Sequence, residues 1–166
     1  MIIFIANQFV GNKVSTGGDV LAVEIAKKVK GKLVILAPKI IHSEIAKAVG
    51  HGSLVDTDDF RTGSETASSV LGGAVTVFHY LVRAWSTSIW LLRNVKDGDT
   101  IYLTGDFVCN TLPAWLLKQK KPKVKVLANF YHRNPTPKAT RGYNYIVSYF
   151  SRLLQGISLE IIKKIT

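Results

Sequence analysis

The first apolar positions form one short unbroken run, Ile2-Ile3-Phe4-Ile5-Ala6, as expected for a parallel strand covered on both faces. A polar loop follows as far as Gly18. From Asp19 the period changes: Val20, Val23, Ala26 and Val29, with Leu21 and Ile25 beside them, recur at helical spacing while Glu24, Lys27, Lys28 and Lys30 face away. Gly31 is expected to stop this helix. "KLVILAP" (32–38) then predicts a second buried strand, and "KIIHSEIAKAVG" (39–50) a second helix ending at Gly50.

The pattern weakens over 51–72, where "SLVD" predicts a short strand and the polar "TDDFRTGSETASS" a loop. It returns as a long helix over 73–94, with Phe78, Val82, Trp85, Ile89 and Leu92 on one stripe and His79, Arg83, Ser86 and Arg93 elsewhere. The interrupting polar residues argue against a membrane span, which needs ~20 mostly apolar positions. "DGDTIYLTGD" (97–106) predicts a turn and strand, "NTLPAWLLKQKK" (110–121) a helix and "KVKVLANFY" (123–131) a strand. After a proline-containing loop, a final helix is expected over 141–165. Strands alternating with helices predict one α/β domain over 1–166, a three-layer Rossmann-like sandwich with a mostly parallel sheet. Its ligands bind beyond the carboxyl ends of the strands.

Charge sharpens that picture. The 166 residues carry 22 Lys+Arg against 11 Asp+Glu, a net +11, which favours anionic partners such as phosphates, nucleic acid or acidic lipid heads. The single cysteine, Cys109, excludes an intrachain disulfide and an all-cysteine metal site. The N-terminal apolar run lacks a basic lead-in and a small-residue cleavage site, so a cytoplasmic location is expected.

Three stretches carry candidate chemistry. Gly17 and Gly18 open the first helix behind the first strand, where backbone N–H groups and the helix dipole favour an anion; Ser15, Thr16 or Asp19 capping a simple turn is the alternative. The dinucleotide and P-loop spacings are absent. Asp106, just beyond a strand end, is placed either to accept hydrogen bonds from ligand hydroxyls or to cap the next helix. "ANFYHRNPTPKATRGY" (128–143) combines His132 with Arg133, Lys138 and Arg141, in a basic run from Lys118 to Arg141 without an acidic residue. At the ligand edge such a run suits a phosphate or an anionic lipid, and His132 a phosphate or sugar hydroxyl. His42, His51 and His79 show no metal-site spacing, and no bound metal is expected. Trp85, Trp90 and Trp115 are read as packing residues, with an interfacial anchor as the alternative.

Taken together, "IIFIANQF", "STGGDVLAVEIAKKVKGKLVILAPK", "DTIYLTGD" and "KVKVLANFYHRNP" resemble the N-terminal half of retaining GT-B glycosyltransferases, in particular glycosyltransferase family 4, over essentially the whole chain. The resemblance implies an acceptor-binding domain facing a second domain that holds most of a nucleotide-sugar donor. By position, Gly17 and Gly18 would approach the donor diphosphate, His132 would lie near the transferred sugar as the catalytic candidate, and Asp106, Arg133, Lys138 and Arg141 would contact acceptor or sugar. No cofactor beyond the donor substrate is implied. The family's donor-site residues, including its Glu-x7-Glu motif, belong to a C-terminal half that is expected as a continuation or a partner chain. Transfer by the 166 residues alone is therefore expected to be weak or absent. A glycan or lipid-linked acceptor and a peripheral place on the inner face of the cell membrane complete the expectation. The alternative is a non-enzymatic basic domain binding anionic lipid or nucleic acid, although the chain lacks the exposed aromatic alternation of an RNA-recognition sheet.

Overall fold

The computed structural model describes residues 1–8, 17–58, 70–130 and 143–166. Its elements alternate: β1 (Ile2–Ile5), α1 (Gly17–Lys28), β2 (Leu33–Ala37), α2 (His42–Val49), β3 (Ser53–Asp56), α3 (Val70–Asn94), β4 (Thr100–Leu103), α4 (Val108–Lys120), β5 (Lys125–Ala128) and α5 (Tyr143–Ile165). A 3-10 turn, Lys39–Ile41, leads into α2. The five strands form one sheet in the order β3-β2-β1-β4-β5, and every neighbouring pair is parallel. This is the doubly wound Rossmann-like arrangement, and its order reverses between β1 and β4.

Burial explains the strands. All five residues of β2 are buried, and Ile3, Phe4 and Ile5 of β1 are nearly as inaccessible, because helices cover both faces. On one face Phe4, Ile35 and Tyr102 pack against Ala22 and Ala26 of α1 and Ile45 and Val49 of α2. On the other, Ile3, Ile5, Leu36, Ile101 and Leu103 pack against Leu91 and Val95 at the end of α3, Ala114 and Leu117 of α4 and Ile165 of α5. At the edge, β5 exposes Lys125, a charge that discourages further pairing there.

Helix ends follow local chemistry. Gly50 ends α2 in the left-handed conformation, φ 80°, and its N–H reaches the Ala46 carbonyl at 3.0 Å. Helix α1 ends at Lys28, before the expected stop, and Gly31 (φ 105°) instead turns the chain toward β2. Pro113 lies inside α4 and supplies no N–H to the Cys109 carbonyl one turn back. That carbonyl accepts from Asn7 Nδ2 at 3.0 Å instead.

Helix α3 differs from its sequence reading. Of the expected apolar stripe, Phe78, Trp85 and Leu92 are exposed, while His79, Arg83, Thr87 and Ser88 are buried. The upper part of the helix turns its polar side inward because the chain ends of β1 and β3 present buried polar groups there. The large buried apolar side chains lie at its C-terminal end, Leu91 within α3 and Val95 just after it.

Candidate functional site

In a doubly wound sheet the crevice for ligands lies where the strand order reverses, here between the ends of β1 and β4, and beneath that edge lies a buried polar network. Asn7, the second residue beyond β1, is completely buried and engages all of its polar groups. Its N–H donates to Asn110 Oδ1 at 2.9 Å, and its Nδ2 to Thr87 Oγ1 at 2.8 Å as well as to Cys109 O. Its Oδ1 accepts from Thr57 Oγ1 at 2.8 Å, and its carbonyl from Arg83 Nη1 at 2.9 Å. A buried amide of this kind is stable only when satisfied, which fixes the course of the chain leaving β1.

Arg83 carries the network sideways. Its guanidinium is inaccessible to solvent, and Nε pairs with Asp58 Oδ2 at 3.1 Å; His79 Nδ1 meets the same oxygen at 3.1 Å. A charge buried this deeply persists only because the carboxylate and the Asn7 carbonyl replace its water shell. Nearer the mouth, Gln8 Nε2 donates to Thr104 Oγ1 at 2.9 Å and Gln8 Oε1 accepts from Asn110 Nδ2 at 2.7 Å. Tyr80 Oη donates to the Gln8 carbonyl at 3.2 Å. Burial pushes the Tyr80 hydroxyl well above its ordinary range and the Cys109 thiol up to about 12, with Arg83 opposing both shifts, so neither is an ionised nucleophile at neutral pH.

The expected site residues fall in three groups. Gly17 and Gly18 form the first two residues of α1, whose crossover from β1 to β2 puts this end on the ligand edge. Asp106 also lies at that edge, but it is buried and accepts from Gln155 Nε2 of α5 at 2.7 Å. Its capping alternative does not hold: the N-cap of α4 is Phe107, without a side-chain cap bond. His132, Arg133, Lys138 and Arg141 lie outside the described residues.

The first part of the basic run is not at the ligand edge. Lys118, Lys121 and Lys125 lie where α4 ends and β5 begins, at the opposite end of the sheet. There Lys118 Nζ donates to the Val124 carbonyl at 2.8 Å, and Lys121 Nζ to the Leu92 carbonyl at 2.9 Å and to the Val95 carbonyl. These lysines tie the ends of α3 and α4 to the sheet.

The sequence pattern alone does not single out Asn7, Arg83, Thr87 or Asn110, and at His79 it shows no more than the lack of metal-site spacing. One signal was available: His79, Arg83 and Thr87 recur every fourth residue, a polar stripe along a helix without an acidic residue. His42 was also undervalued, since its ring nitrogens face Asp56 Oδ1 at 3.1 Å and the Ala37 carbonyl at 3.0 Å, joining the ends of β2 and β3. Among the described residues, no three His, Cys, Asp or Glu side chains gather as a metal site, and no helix is long and apolar enough to cross a membrane.

A separate groove of about 870 Å³ runs between α4 and α5 on the outer helical layer, lined by Leu112, Trp115, Tyr149, Leu153 and Ile157, with Arg152 and Lys164 beside them. It is apolar and distinct from the crevice. Comparison with models of protein families, with characterised proteins and with solved structures gives no match for this chain.

Proposed function

We propose that the chain is the acceptor-side Rossmann-like domain of a retaining GT-B glycosyltransferase of family 4, transferring a sugar from a nucleotide-sugar to a glycan or lipid-linked acceptor. The observation that supports this reading is the crevice at the β1/β4 reversal. Its floor is fully hydrogen-bonded through Asn7, and the glycine-opened α1 and the chain leaving β5 both reach the same edge. In a doubly wound sheet that is where a ligand sits.

In this proposal the floor does not react. Asn7, Arg83 and Asn110 hold the two loop bases still, so that backbone N–H groups at Gly17 and Gly18 meet a departing diphosphate already oriented. Asp106 positions the start of α4 against α5 through Gln155. His132, with Arg133, Lys138 and Arg141, supplies the polar and cationic contacts to sugar and phosphate. The nucleotide-sugar is held chiefly by a second domain, and the pair works at the inner face of the cell membrane.

Amide chemical-shift mapping of the 166-residue chain tests this. A polyprenyl-phosphate saccharide should perturb residues 7–8, 17–20 and 104–110, while a nucleotide-sugar alone should bind far more weakly than to the chain combined with a donor domain. Nucleotide-sugar binding of equal strength in both, or saccharide shifts confined to other regions, would overturn the proposal. RNA binding that falls steeply with salt, with no response to saccharides, would favour the basic-domain alternative.

A further inference from the structure

Among the described residues, ten of the fourteen large hydrophobic side chains that stand exposed belong to α3, α5 and the cap of α4, all on one face of the sheet. On α3 they form a stripe, with Phe78 59%, Leu81 55% and Trp85 69% exposed, at spacings of three and four residues that place them on one side of the helix. Monomeric soluble proteins scatter such residues singly; aligned in this way they mark a surface that is covered in use.

The charge on the same layer says by what. Helices α3, α4 and α5 contain one acidic residue, Glu160, and Lys163 pairs with it at 2.6 Å. Against it stand Arg93, Lys118, Lys120, Arg152 and Lys164, of which Arg152 and Lys164 border the apolar groove together with Glu160 itself. An apolar stripe with a tryptophan, on a helical layer whose cations outnumber its one acid and leave it no unpaired carboxylate, matches the boundary between acyl chains and anionic headgroups. Polyanions such as nucleic acid would use the cations but leave Phe78, Leu81 and Trp85 in water.

We infer that the outer face of α3, with the neighbouring α4/α5 groove, docks on an anionic lipid bilayer, with Phe78, Leu81 and Trp85 entering the interface and the basic side chains of the layer meeting lipid phosphates. The stripe starts beside His79 and Arg83, so the docked molecule holds its crevice next to the bilayer. This inference deepens the membrane placement in the proposed function, and because its test involves no sugar or nucleotide, its failure leaves the transfer reading to be judged separately.

Vesicle co-sedimentation of the full chain tests it, using phosphatidylcholine with and without phosphatidylglycerol. Binding should require phosphatidylglycerol. The Phe78→Ser/Leu81→Ser/Trp85→Ser variant should lose it by about tenfold or more while circular dichroism stays unchanged, since these side chains support no core. In a variant retaining Trp85 alone (Trp90→Phe, Trp115→Phe), brominated lipid should quench the remaining fluorescence. Absence of vesicle binding, binding that survives the triple variant, or unquenched Trp85 would each overturn the inference. A triple variant that changes only the sedimentation coefficient would overturn it in favour of a contact between copies of the chain.

Discussion

Arg83 shows how one residue can be indispensable without touching a ligand. Its guanidinium joins Asp58 to the Asn7 carbonyl out of reach of bulk solvent. Replacing it with methionine leaves the Asp58 carboxylate and the Asn7 carbonyl without that partner, and breaking a buried pair costs about 3–5 kcal/mol. Urea denaturation of Arg83→Met should show a loss of that size. Arg83→Met/Asp58→Leu should lose clearly less than the two single variants summed, because the second change removes the stranded charge. Additive losses would mean that the pair is not coupled.

At the scale of elements, the turn between α2 and β3 is the most tightly constrained. Gly52 holds φ 98°, and a Cβ there would lie 3.1 Å from the Leu33 side chain and 3.3 Å from its carbonyl oxygen. Gly52→Ala therefore meets both backbone strain and the start of β2, and should lower the melting temperature by a destabilisation of about 1–3 kcal/mol. Gly50→Ala, with open space around it, should cost less, from its left-handed φ alone. The order of elements was legible in the sequence because runs such as "LVILA" and glycines such as Gly50 act locally. The inner side of α3 was not. Periodicity assigns the apolar stripe to the core, and nothing local reveals that Asn7 and Asp58, distant in sequence, meet His79, Arg83 and Thr87 there. Asp106 stands out in the sequence by its position after β4, but its partner Gln155 lies on a helix that no local pattern connects to β4.

Over the whole molecule, the net +11 makes acid doubly unfavourable, since each carboxylate that gains a proton adds to the self-repulsion. Asp99 is tied to the fold, because it receives the Lys96 N–H at 2.8 Å and the amino terminus of Met1 at 2.9 Å, joining the start of β1 to the turn before β4. Burial alone would raise its pKa, but these partners outweigh it and hold the carboxyl below its ordinary 3.8. A depressed folded-state pKa gives stability that is present above 3.8 and lost as pH falls through the folded value. Chemical denaturation between neutral pH and pH 3 should show stability falling below about pH 4. Asp99→Asn should flatten that fall while lowering stability at neutral pH. An unchanged acid slope would remove Asp99 from this role.

The central place of β1 also sets an order in time. The partners of Asn7 are synthesised 50 to 103 positions after it. The pairing of β1 with β4 likewise joins Ile2 to Thr100, so this contact waits for most of the chain and carries the largest loop-closure entropy in the sheet. Until then the end of β1 has no floor beneath it. Completion of folding and completion of the crevice are thus a single event, and a partly made chain has no site to occupy.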